Sequence, residues 1–173
     1  MEVTLPLVLE HGRAVTTAQI AEAAGVAQGT IFRVFATKEE LVEEAIDSAF
    51  DMDAYIRAVE ALQPRRTLDE TVTELAQLMV QRFSHVFAVI SIAGHKGSPP
   101  RQNAEDWVMR ISTAHTRLLE PFAGELTLPP GEVMRFVRLL AFSGSNPHIT
   151  EGHLLTAAEI SAIVLDGSRR KGP

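Results

Sequence analysis

Cysteine is absent from all 173 residues, and tryptophan and tyrosine occur once each. No apolar run approaches the roughly 18 residues that a membrane-spanning helix needs. The missing thiols exclude disulfides, cysteine-ligated zinc and thiol catalysis, and they fit a reducing compartment. The N-terminus lacks the basic-then-apolar layout of a secretory signal. These absences lead to the expectation of a soluble, cytoplasmic protein with no membrane partner. Glycine and proline, at 11 and 9 residues, are too sparse for a disordered chain.

Catalytic and metal motifs are missing too. There is no His-Glu-x-x-His, no di-iron Glu-x-x-His pair, no glycine-rich phosphate loop and no Gly-x-Ser-x-Gly. His148 and His153, like His115 and Glu120, are five apart, a spacing that does not stack on one helical face. We therefore expect no enzyme, no catalytic residue, no metal and no cofactor.

The formal net charge is −6, which argues against nucleic-acid binding by the whole surface. The charge is unevenly placed. Up to Lys38, three acids (Glu2, Glu10, Glu22) balance three bases (Arg13, Arg33, Lys38). From Glu39 to Glu60 the acids outnumber Arg57 heavily. The first segment is the part an anionic partner tolerates best.

Helical periodicity runs through the chain, so the expected class is all-α. Thr16 and Gln19 have capping-box spacing and predict a helix from Thr17, with Ile20, Ala23 and Ala24 on one face and Gly25 closing it. A second helix is expected from Gln28 to Phe35. Thr37 and Glu40 form another capping box, opening a helix that carries Leu41, Val42, Ala45, Ile46 and Phe50 and continues to Ile56 and Val59, until Gln63–Arg66 breaks it. Leu68, Val72, Leu75, Met79, Phe83 and Val86 stripe a long helix whose apolar tail, Val86–Ala93, reads as its continuation. Residues 94–103 read as a loop. Trp107, Ile111, Ala114, Leu118 and Phe122 mark the next helix, and Val133, Phe136, Val137 and Leu140 another. A third capping box, Thr156–Glu159, opens a last helix bearing Ile160, Ile163 and Val164, which Gly167 should end before a loose tail.

Two short helices joined through a glycine turn are the ingredients of a helix-turn-helix. Gln28 can pair bidentately with adenine, and Arg33 can reach guanine or phosphate. Lys38, in the first turn of the following helix, combines an ammonium with outward N–H groups, a suitable phosphate clamp.

The stretch "TTAQIAEAAGVAQGTIFRVFATKEEL" resembles the DNA-binding segment of the TetR (tetracycline repressor) family of bacterial transcriptional regulators. Thr17, Ile20, Ala21, Ala24, Gly25, Val26, Gly29, Thr30, Ile31, Phe35, Lys38 and Leu41 stand where the family pattern has them. The resemblance implies a three-helix DNA-binding domain over residues 1–47 and a helical effector-binding and dimerisation domain over 48–173. Thr17, Gln28, Gly29, Thr30, Phe32, Arg33 and Lys38 would face DNA, while Ile20, Ala24, Val26, Ile31, Phe35 and Leu41 would hold the small domain together. Three positions depart from the pattern. Phe32 replaces a usual tyrosine, Val34 a frequent histidine, and Ala27 a common N-cap serine. The segment ahead of His11–Gly12 is also brief and contains Pro6, so the first helix should be short.

The implied function is that of a ligand-responsive regulator, in the repressor mode, binding a palindromic double-stranded DNA operator as a homodimer and released by a small-molecule effector. The alternative is a helical ligand-binding or protein-interaction module whose helix-turn-helix no longer binds DNA. Candidate effector-lining residues are Met79, Phe83, Phe87, Trp107, Ile111 and Phe122, with Arg82, Arg110 or His115 as polar anchors. Candidate dimer-seam residues are Val133, Phe136, Val137, Leu140, Ile160, Ile163 and Val164.

Overall fold

The computed structural model describes residues 3–93 and 104–170, and the expected loop at 94–103 lies outside them. Among the described residues the regular structure is helical, with one isolated β-bridge between Leu126 and Arg169. The chain divides into two compact units, Met1–Asp51 with His85–Arg101, and Met52–Ser84 with Gln102–Pro173.

The first unit begins with α1 (Thr4–His11). Pro6 falls at its third position, where the backbone N–H has no intrahelical acceptor in any case, so the ring costs the helix little. A 3-10 turn over Gly12–Ala14 leads to α2 (Thr17–Ala24). Here the expected capping box is complete: the Gln19 N–H donates to Thr16 Oγ1 at 3.2 Å, and the Thr16 N–H donates to Gln19 Oε1 at 2.9 Å. The next helix, α3, covers only Gln28–Ile31 rather than reaching Phe35. Beyond it the chain continues in hydrogen-bonded turns, with the N–H groups of Val34 and Phe35 both donating to the Ile31 carbonyl at 3.0 Å.

Helix α4 (Lys38–Ser48) is capped by Thr37, whose Oγ1 accepts the Glu40 N–H at 3.1 Å. The reciprocal half of that box is displaced by one residue, because the Glu40 carboxylate takes the N–H of Ala36 at 2.7 Å. The core of this unit consists of Val8, Val15, Ile20, Ala21, Ile31, Leu41, Val42, Ile46, Ala49 and Val89, with Phe35 packed against it.

The single long helix expected from Thr37 to Val59 is two helices. α4 ends at Ser48, and α5 covers Asp53–Ala61 in the second unit. Helix α6 (Leu68–Ala93) is continuous, as its periodicity and apolar tail indicate. Its first part, to Ser84, belongs to the second unit and its remainder to the first. The chain then forms α7 (Ala104–Leu119), a 3-10 turn over Glu120–Glu125 that holds Phe122, α8 (Pro130–Gly144) and α9 (Ala157–Ser168). Pro130 begins α8, where its fixed φ suits a first helical position.

Within the second unit α8 packs on α9 and α7, and α7 on α5. Val59, Leu68, Val72, Leu75, Leu118, Leu119, Leu126, Val133, Val137, Ala141 and Ile160 are each at most 2% exposed and share one core cluster. Thr156 and Glu159 complete the capping box of α9. Gly167 does not end that helix, which runs one residue further. Nor is the described part of the tail loose. Arg169 pairs with Asp69, and Arg170 donates to the Glu125 carbonyl from its backbone N–H and to the Leu126 carbonyl from Nε, both at 2.8 Å.

The α8–α9 connection depends on a missing side chain. A Cβ on the buried Gly144 would stand 2.8 Å from the Leu155 Cβ, a distance real side chains do not sustain. At Gly167 a Cβ would meet nothing within 4 Å. Gly144→Ala should destabilise the protein by about 1–3 kcal/mol through overpacking, while Gly167→Ala should stabilise it by roughly 0.5 kcal/mol through helix propensity. Urea denaturation of the two variants checks both signs.

Candidate functional site

The turn between α2 and α3 determines what the first unit presents. Gly25 adopts φ 64° and ψ 31°, a left-handed conformation open to glycine without steric cost. The Val26 N–H donates to the Ala21 carbonyl at 3.0 Å and the Gly25 N–H to the Glu22 carbonyl at 3.1 Å. These are the paired bonds of a Schellman motif, and they fix the direction in which the chain leaves α2.

The segment beyond this turn is short and has little to bury. From Gln28 to Arg33 only Ile31 is buried; Gln28, Gly29, Thr30, Phe32 and Arg33 are exposed. A Cβ on Gly29 would meet no atom within 4 Å, so nothing within the protein requires a glycine there. Arg33 forms no ion pair among the described residues. Ala27 leaves α3 without a side-chain cap. Thr17, at the start of α2, is half-buried. Lys38 is also half-buried, donating from Nζ to the Arg13 carbonyl at 3.0 Å and lying 3.8 Å from Glu39. It therefore ties the loop before α2 to the start of α4.

Two residues expected to hold this unit together do not. Ala24 is exposed, and Val26 is 41% exposed because the Schellman turn carries it away from the core. Their places are taken by Ala21, one turn earlier on α2, and by Val15 ahead of it.

Residues 2–45 match the family model of the bacterial regulatory proteins, tetR family. Over these residues the chain carries the N-terminal domain that this family model describes. Within them, α2, the Gly25 turn and α3 have the layout of a helix-turn-helix. The whole chain is similar to solved TetR-family structures. One is a transcriptional regulator from Streptomyces coelicolor (TM-score 0.58, 21% identity, covering 99% of this chain and 97% of that one). A protein from Vibrio parahaemolyticus gives 0.49 at 19% identity, covering 98% and 96%, and a regulator from Pseudomonas syringae pv. tomato gives 0.47 at 19%, covering 99% and 97%. The Streptomyces likeness establishes a shared fold.

In the second unit, the candidate effector residues divide. Met79 and Phe122 are buried in the core cluster, while Phe83, Trp107 and Ile111 are half-buried. Phe83 meets Phe142 edge to face at 5.3 Å. Phe87 belongs to the first unit, not to this group. Arg110 is already neutralised, lying 2.8 Å from Glu60 and 3.7 Å from Asp53, and it holds the Glu60 carboxyl below the usual carboxylate range. Arg82 lies over the Tyr55 ring at 5.7 Å, and His115 is buried. Two open surface hollows exist elsewhere, one on α7 around Val108 and Met109, the other along α6 near Arg65 and Gln77. Neither is lined by any candidate.

The candidate dimer seam also divides, and part of it is corrected. Val133, Val137, Ile160 and Val164 are buried in their own unit's core and have no area left for a partner. Leu140 is half-buried. Phe136 (40% exposed) and Ile163 (54%) face outward, joined by Leu139 and Phe142, which periodicity does not single out. Apolar spacing cannot separate these sets because α8 is apolar on more than one side.

Burial presses the His115 pKa from 6.5 down to about 4, and the neighbouring Arg138 charge adds to the effect. The folded state therefore holds fewer protons than the unfolded chain between these values, and stability rises with pH across that window. As pH falls from neutral to about 4, His115 should remove up to about 3 kcal/mol of stability. Denaturation midpoints measured along that series should fall more steeply for the native protein than for His115→Gln.

Proposed function

We propose that the protein is a ligand-responsive repressor that binds a palindromic operator in cytoplasmic DNA as a homodimer and is released by a small-molecule effector. The observation that carries this reading is the segment 28–33, held at a fixed angle by the Gly25 turn and exposed at every position but Ile31. A glycine inside a helix is destabilising by about 0.5–1 kcal/mol relative to alanine. Gly29 incurs that cost where the fold leaves room for a side chain, which suits a surface that must approach a duplex closely.

Gln28 and Thr30 supply groups for base edges, and Arg33 supplies an uncommitted guanidinium for guanine or phosphate. Phe32 has no hydroxyl for phosphate, so its exposed ring packs against sugar. Thr17 and Lys38 add contacts at two helix N-termini. A twofold dimer would place two α3 segments about 34–36 Å apart, matching successive major grooves. The exposed apolar face of α8 and α9, Phe136, Leu139, Phe142 and Ile163, forms the seam. An effector in the second unit stabilises a conformer with wrong spacing; complete switching requires roughly 10⁴-fold preference for it.

Selection from random duplexes should recover a palindrome. Gly29→Ala should leave the fold as stable or more so yet lose operator affinity, whereas a module without DNA function would bind no duplex in either form. Arg33→Ala should weaken binding and, where its contact is to phosphate, lower the salt slope by about one. A charge placed in the seam, Phe136→Glu, should convert the dimer to folded monomers in sedimentation equilibrium; an unchanged mass would place the interface elsewhere.

A further inference from the structure

Lys38 does not stand alone at the start of α4. Its Nζ donates to the Arg13 carbonyl at 3.0 Å, so the 3-10 turn between α1 and α2 is held beside the ammonium that the proposed function assigns to phosphate. Two of the three bases in the first 38 residues, Arg13 and Lys38, are thereby gathered at one place. The Arg13 side chain is 42% exposed and has no part in the core of the first unit, where Val15, two residues on, supplies the burial.

The guanidinium of Arg13 is committed through one nitrogen. Nη1 donates to Glu43 Oε1 at 2.7 Å in an exposed ion pair. Two arginines that brace the second unit are held differently. Arg65 and Arg110 each present Nε and Nη2 together to a single carboxylate, Glu74 and Glu60, which closes a whole edge of the fork. At Arg13 that same edge makes no hydrogen bond among the described residues. The carboxylates nearest to Lys38 in sequence are engaged: Glu40 accepts the Ala36 N–H at 2.7 Å, and Glu39 lies 3.8 Å from Lys38.

Two parallel N–H groups on one edge of a guanidinium match the two free oxygens of a phosphodiester. We infer that Arg13 is a further DNA-contact residue: with Nη1 held by Glu43, its Nε–Nη2 edge takes a backbone phosphate neighbouring the one at Lys38. This rests on the reading of the first unit as a DNA-binding domain and adds to it a residue outside α2 and α3. Phosphate contacts carry no sequence information but fix register on the duplex. Arg13 is well placed for that, being four residues ahead of α2 and bonded through its carbonyl to the first residue of α4. Glu43 cancels its charge at long range, while the open edge acts at contact.

The test uses the full chain and the duplex recovered by selection, with binding followed by fluorescence anisotropy across a salt series. Arg13→Gln should weaken binding severalfold and lower the slope of log affinity against log salt by about one. Its urea midpoint should stay near the native value, because an exposed ion pair contributes little to stability. The decisive comparison is made in Glu43→Gln, where no carboxylate at position 43 is left for Arg13 to neutralise. There Arg13→Gln should still lower the slope by about one. Loss of the effect in that background would show that Arg13 merely cancels Glu43, and it would overturn the inference, as would an unchanged slope in the native background. Neutral methylphosphonates placed singly along one half-site give a second readout. At one position the substitution should weaken binding by the native protein and leave Arg13→Gln unaffected; the absence of any such position counts against the contact. A native protein that binds no duplex at low salt overturns the regulator reading and this inference with it. Native binding that Gly29→Ala weakens and Arg13→Gln leaves untouched overturns the inference alone.

Discussion

The first unit depends on one left-handed residue. With Gly25 at φ 64°, two backbone bonds close the end of α2 and aim the next segment before any side chain contributes. α3 is only four residues long and has no side-chain cap, so it cannot be stable by itself. Its position comes from the Schellman turn on one side, from the buried Ile31 beneath, and from the paired Val34 and Phe35 bonds that lead into the Thr37 cap. An element built this way can expose nearly all of its side chains, because its own packing asks for very few.

The same logic shows which parts of the fold are legible in the sequence. Capping boxes at Thr16 and Thr156 can be read because their chemistry is complete within four residues. The long α6 can be read because its stripe persists through an apolar tail. The break between α4 and α5 cannot, since apolar spacing continues from Ile46 through Phe50 to Ile56 with no glycine or proline between. Ala24 and Val26 illustrate a different limit. Family position and apolarity both suggest core, yet the turn that makes Gly25 necessary also swings Val26 outward. Local bonding decides against hydrophobic pattern there.

In the second unit the difficulty is direction. Helices α8 and α9 are apolar on more than one side, so periodicity identifies them as helices without telling core from surface. The folded chain assigns Val133, Val137, Ile160 and Val164 inward and leaves Phe136, Leu139, Phe142 and Ile163 outside. Polar residues are harder still. Arg110 and Arg82 look equivalent as a sequence of letters, but only partners across space show that Glu60 and Asp53 neutralise Arg110. His115 can be named as a candidate from the sequence, whereas the want of a partner at its Nε2 is a property of three dimensions alone.

The proposed contact with DNA requires an acidic chain to keep its negative charge from acting on phosphate, and the carboxylates next to α3 are placed in keeping with that requirement. Glu40 is occupied by the Ala36 N–H, Glu43 pairs with Arg13 at 2.7 Å, and Glu39 lies 3.8 Å from Lys38. Each bond draws a carboxylate toward the protein and lessens its outward field. Surface charges beyond roughly 8 Å are screened at physiological salt, so acids further along α4 contribute little at α3. The balance therefore favours contact over long-range attraction. Such a protein should discriminate strongly against non-specific duplex, because the general electrostatic term that holds most DNA-binding proteins to any sequence is small here.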